Sequence, residues 1–163
     1  MLTLEQLSAR EAIRDAALRY CRGVDRLDAA LMKSAYWPDA TDDHGSFKGN
    51  AHEFVELCMQ SHLRWEATGH CIFNHSIELG PEPGIARGEC YNLTWLASPE
   101  QIEHWYGRYL DRYERRGDEW RIIERVCVHE ATNVLPRTAM TLPADAFRQG
   151  HQDRGTGSAR LGP

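Results

Sequence analysis

The sequence predicts an α+β domain in which helices cover one face of a curved antiparallel sheet. Three observations predict it. Apolar residues recur near the helical period as far as about residue 63, then at a period of two from residue 68 onward. The later stretches are separated by turn sequences, "GPEPG" at 80–84 and "ERRGDEW" at 114–120, as antiparallel strands require. The chain has 163 residues, 42% hydrophobic and 26% charged, enough to bury one core without disulfide or metal staples.

The elements follow in order. Thr3 and Gln6 form a capping-box signature, and Leu4, Leu7, Ile13, Ala16, Ala17 and Tyr20 make an imperfect apolar stripe. Gly23 is the expected stop of this helix, with Asp25 in the turn after it. "RLDAALMKSA" reads as a second, short helix. "WPDATDDHGSFKG" carries turn punctuation around a short strand. "NAHEFVELCMQSHLRW" reads as a third helix, with Asn50 as N-cap and Phe54, Leu57, Cys58 and Leu63 on its buried side. Strands are expected at 68–79, 85–97, 102–114 and 120–130. Residues 1–140 are expected to be a single domain. Residues 141–163 are Gly-rich, polar and aperiodic, and are expected to form a mobile tail.

Composition excludes several classes of function. A net charge of −5 argues against a nucleic-acid partner. Arg112, Arg115 and Arg116 cluster, but Asp111, Glu114 and Asp118 interleave with them, which reads as a solvated hairpin. The five cysteines are odd in number and widely spaced, so free thiols in a reducing compartment are expected. The N-terminus is charged throughout, unlike a signal peptide or membrane span, and the expected location is cytoplasmic. His44, His52 and His62 are scattered over a loop and a helix, and no H-E-x-x-H is present, so no metal is expected. The usual signatures of nucleotide binding and of serine hydrolysis are also missing.

A curved sheet closed by helices leaves a pocket between the layers, the default ligand site. Four residues stand out. Asp25 either caps the second helix or is free for another role, because Asp28 serves equally well as that cap. Tyr20 is either a core tyrosine or a phenol aimed at a substrate oxygen. His70 and His75 lie in "ATGHCIFNHSIEL"; in an ideal strand they face opposite ways unless a bulge intervenes. Arg125, among apolar neighbours in the last strand, needs either a structural carboxylate or a ligand's anionic or oxygenated group.

The segments "YCRGVDRLD", "WPDATDDHGSFKG", "GHCIFNHSIEL" and "YLDRYERRGDEWRIIER" resemble the SnoaL-like branch of the nuclear transport factor 2-like, cystatin-like superfamily over about residues 4–135. The group containing scytalone dehydratase, bile-acid dehydratase and hexachlorocyclohexane dehydrochlorinase looks nearest. The resemblance implies a cone-shaped sheet with three N-terminal helices enclosing a pocket. It also implies a catalytic Asp after the first helix and a catalytic His opening the strand after the third, which fall on Asp25 and His70. Tyr20 matches a Tyr five residues before that Asp.

The implied function is a lyase or isomerase that needs no cofactor. His70 abstracts a proton from a small cyclic or aromatic hydrophobic substrate, Asp25 orients His70, and Tyr20 assists an oxygen or a leaving group. Arg125, Asn74, Trp37 and Phe54 are the candidate substrate-binding residues. His75 is expected to be structural. The resemblance further implies a dimer or trimer built through the outer face of the sheet; Trp95, Trp105, Tyr109 and Tyr113 are either candidate interface residues or core packing. Two alternatives stand beside the enzyme: a non-catalytic small subunit of an aromatic-ring-hydroxylating dioxygenase, and a hydrophobic-ligand-binding module.

Overall fold

The computed structural model describes residues 1–138. The expected tail lies outside the described residues, as do the last two positions of the expected domain. Helices α1 (Leu4–Asp25), α2 (Ala29–Ser34) and α3 (Ala51–Ser61) precede most of the sheet. The strands are β1 (Tyr36–Asp43), β2 (Lys48–Asn50), β3 (Ala67–Leu79), β4 (Ile85–Ala97), β5 (Gln101–Arg116) and β6 (Glu119–Pro136). They form one six-stranded sheet in the order β2-β1-β6-β5-β4-β3. The expected short strand is in fact the β1–β2 hairpin. Every pairing is antiparallel except β1 with β6, which is parallel.

The capping box opens α1 as expected: the Thr3 hydroxyl accepts from the Gln6 N–H and the Gln6 side chain accepts from the Thr3 N–H. Gly23 does not stop the helix. It is buried within α1, and a Cβ there would stand 2.5 Å from the Met32 nitrogen. The glycine is needed because α2 crosses α1 at backbone contact. The chain turns at Leu27, whose φ is 51°, and Asp28 caps α2 by accepting from the Leu31 N–H at 2.9 Å. Asp25 is therefore the last residue of α1 and is free of capping duty.

Ile13, Ala16, Tyr20 and Val24 of α1 pack on the inner face of the sheet with Phe54, Val55 and Cys58 of α3. Each large side chain fully buried here contributes about 1.5–3 kcal/mol. Leu4 and Leu7, at the start of the expected stripe, are exposed, as are Leu57 and Leu63 around α3.

Three irregularities bend the long strands: between Phe73 and His75, between Tyr106 and Gly107, and between Arg112 and Tyr113. Bulges of this kind add twist and curl a sheet around whatever it covers. The first also resets the alternation of β3. Phe73 pairs with Tyr91 and His75 with Cys90, leaving Asn74 unpaired. His75 and Ile77 therefore share the inner face with Thr68, His70 and Ile72. The expectation that the two histidines face opposite ways is corrected by this one extra residue. His75 sits within the layers beside the Tyr113 ring, 6.4 Å away.

Among the described residues no helix is long and apolar enough to cross a membrane.

Candidate active site

A cavity of about 270 Å³ opens between the upper half of the sheet and the helices. Val24, Phe54, Leu96 and Trp105 supply apolar and aromatic wall; His44, His62, His70, Asn92, Thr94 and Tyr109 supply polar groups. A larger depression, about 420 Å³, lies on the opposite face of the sheet among Glu78, Arg87, Glu89, Arg112 and Glu124. It is a charged groove remote from the residues below.

The last turn of α1 delivers Asp25 to the first residues of β3. Its carboxylate accepts from the Thr68 hydroxyl at 2.9 Å, from the His70 backbone N–H at 2.8 Å and from His70 Nδ1 at 2.7 Å. A carboxylate at a helix C-terminus is disfavoured by the helix dipole, and burial adds a cost. Three donors offset both. Burial pushes the Asp25 carboxyl up, but the hydrogen bonds and charge of His70, together with Thr68, outweigh it and hold the group below its ordinary value. With Nδ1–H committed to Asp25, the ring nitrogen left for the cavity is Nε2, the basic one in that tautomer.

Tyr20 lies across the cavity floor. Its ring meets those of His70 and Tyr109 edge-on, and its hydroxyl is 3.3 Å from His44 Nε2. Burial, then the neighbouring Tyr109 and Tyr36, raise its pKa well above the ordinary value, so it is a phenol and a donor. His62 stands on the rim, its ring 6.1 Å from that of His70 and its Nδ1 3.0 Å from the Cys58 carbonyl. Burial, then the nearby His70, lower the His62 pKa to about 4.

His44 was set aside in the sequence as one of several scattered histidines, yet it forms a second pair like the first. Its Nδ1 bonds to Asp42 Oδ1, while Tyr36 donates to Asp42 Oδ2 at 2.6 Å. Asp42 and His44 are two residues apart at the end of β1, the spacing that puts both on one face of a strand.

A family model for the SnoaL-like domain matches residues 5–126, most of the chain. The protein belongs to the SnoaL-like family. Solved structures with the same fold include a hexachlorocyclohexane dehydrochlorinase, LinA type 2, with a TM-score of 0.75 and 22% identity over 86% of this chain and 98% of that one. A candidate scytalone dehydratase of Novosphingobium aromaticivorans matches with a TM-score of 0.70 and 14% identity over 94% and 97%. A candidate aromatic ring hydroxylase of the same organism matches at 0.69 and 17% over 84% and 96%. At these identities the likeness is one of fold. No curated protein matches the sequence.

The SnoaL-like frame places the remaining expected residues as follows. Phe54 lines the cavity, stacked on His44 with centroids 4.1 Å apart. Three expected substrate-binding residues do not line it. Asn74 is the exposed, unpaired residue of the β3 bulge. Trp37 donates its indole N–H to the Glu114 carbonyl at 2.9 Å and is covered by Arg116 and Arg121. Arg125 lies beneath the cavity, 1% exposed, in a two-pronged pair with Asp111 at 2.8 Å on each prong. Its guanidinium stacks 4.2 Å from the Tyr20 ring and 4.1 Å from the Tyr109 ring. It props both phenols from below and takes the structural carboxylate that the sequence left as one of two options.

Asp111 is the second correction here: it belongs to the core and not to a solvated hairpin. The same face carries Tyr109 and Tyr113, so these are interior too, and Trp105 lines the cavity. Of the aromatic residues expected at an outer interface, only Trp95 is on the outer face, where it lies across Gly69.

Proposed function

We propose that this SnoaL-like protein is a cofactor-independent lyase or isomerase that starts by proton abstraction from carbon. His70 Nε2 is the base, Asp25 fixes its tautomer and stabilises the imidazolium, and Tyr20 donates to a substrate oxygen. The observation that carries this reading is the Asp25–His70 contact of 2.7 Å inside a cavity with apolar and aromatic walls. A low-dielectric wall strengthens the pair's electrostatics and keeps bulk water off the base. The volume is at the small end for ligand sites, which run about 300–1,000 Å³, and suits a single substituted ring. The buried Asp25 carboxylate that holds His70 Nδ1 favours this reading over an accessory subunit or a simple binding module.

The test is proton exchange. The protein is incubated in D₂O with cyclic ketones, hydroxycycloalkanones and halocycloalkanes, and deuterium uptake or elimination is followed by NMR. Uptake that disappears in His70→Ala and Asp25→Asn is the expected result. Uptake that survives His70→Ala overturns the assignment of the base.

A further inference from the structure

The cavity holds two histidines, each backed at Nδ1 by a buried carboxylate: His70 by Asp25 and His44 by Asp42. One base is enough to start an elimination, so the second pair needs its own account. The Asp42 side chain is 0% exposed, held by Tyr36 on one oxygen and His44 on the other. Burying a second carboxylate costs several kcal/mol unless donors satisfy it, and here each oxygen has one. His44 does not spend its free nitrogen on the backbone. That nitrogen, Nε2, meets the Tyr20 hydroxyl at 3.3 Å. The ring is held flat on Phe54, and Gly45 beside it also lines the cavity.

We infer that Asp42, His44 and Tyr20 form a proton-donating subsite for an oxygen leaving group, which makes the substrates β-hydroxy or β-alkoxy carbonyl compounds and not halides. The inference rests on the reading of His70 as the base. Its chemical logic is the difference between leaving groups. A halide departs without a proton, whereas hydroxide or alkoxide needs one in the transition state, and a positioned acid supplies it.

The step balances. His70 Nε2 takes the proton from carbon. The electrons of that C–H bond form the C=C bond as the C–O bond breaks. The departing oxygen takes the Tyr20 proton, and Tyr20 takes one from the His44 imidazolium, whose charge Asp42 stabilised. Substrate leaves as alkene and water or alcohol, His70 ends protonated and His44 neutral, and one proton returns through solvent.

Two measurements on the full chain test this. In the first, 4-nitrophenol stands in for the departing oxygen and its visible phenolate band reports its charge when bound. The unmodified protein and His70→Ala should bind it as phenolate, while His44→Gln and Asp42→Asn should bind it at least about tenfold more weakly. In the second, 3-methoxycyclohexanone and 3-acetoxycyclohexanone are compared. His44→Gln should lower the ratio of elimination to carbon–hydrogen exchange by about 10²-fold for methoxide and far less for acetate, which needs little acid help. Circular dichroism confirms that each variant is folded. Equal phenol binding by His44→Gln and the parent, no phenol binding by the parent, or an equal ratio change for both leaving groups overturns the inference. Loss of all exchange from the parent overturns the role of His70 instead, and the phenol measurement still judges His44.

Discussion

The space between helices and sheet divides into two ends built from the same strands and filled in opposite ways. At the lower end Tyr36, Tyr113, Ile13, Met32 and Ile122 leave no opening, and the charge of Arg125 is closed off by Asp111. At the upper end the inner positions of β4 are Asn92 and Thr94, and a cavity remains. Below, Arg125 is paired with Asp111, with its Nη1 left over; above, Asp25 and Asp42 hold the Nδ1 atoms of His70 and His44 at the cavity wall. One sheet thus supplies a rigid base and a reactive chamber, and Tyr20 and Tyr109 are the floor between them, resting on the Arg125 guanidinium.

That division can be tested from both sides. The largest effect on chemistry is expected above the floor: His70→Ala should reduce carbon–hydrogen exchange about 10²–10⁴-fold, with a stability loss of about 1–3 kcal/mol in urea unfolding from the donor that Asp25 loses. Below the floor the reverse is expected. Asp111→Ala strands a buried guanidinium and should cost about 3–5 kcal/mol in urea unfolding.

A third outcome is pH-dependent. Folded His62 resists protonation until about pH 4, whereas the unfolded residue takes a proton near its ordinary 6.5. The unfolded state then binds more protons in that window, so stability falls as pH drops from 6.5 toward 4. The loss is on the order of 2–3 kcal/mol, and urea titrations of His62→Gln should show a flatter profile across the same window. Asp25 works at a lower range: its depressed pKa adds stability that is fully present above the ordinary carboxylate value of 3.8 and disappears as pH falls below it. Smallest of all, Asn74→Ala should change stability and exchange by no more than about 0.5 kcal/mol equivalent, since the side chain is exposed outside both ends.

Much of this was legible in the sequence because periodicity reports burial directly. The α3 cap at Asn50, the turn at 80–84 and the β5–β6 hairpin all lie where the residue pattern puts them. Asp25 and His70 were legible through family resemblance, and Asp28 through its capping preference. What was hidden depends on contacts between distant segments. Gly23 looks like a terminator until α2 is seen lying on it. Asp111 looks like one more hairpin charge, although its alternation with Tyr109 and Tyr113 already pointed inward. His44 was obscured because β1 is short and sits among turn residues, so the Asp42–His44 spacing carried no strand signal. The identity of the residue that bulges is settled by pairing with β4, which nothing local to β3 announces.

That bulged residue works as a phase reset in the strand's rhythm. Upstream of Asn74 the beat places Thr68, His70 and Ile72 indoors; downstream, the same beat shifted by one brings in His75, Ile77 and Leu79. Were Asn74 paired as an ordinary strand residue, Ser76 and Glu78 would turn toward the core while Ile77 faced water. The cavity-lining half of the strand and the packing half are therefore separately tuned passages, joined by a single silent note whose own side chain is exposed.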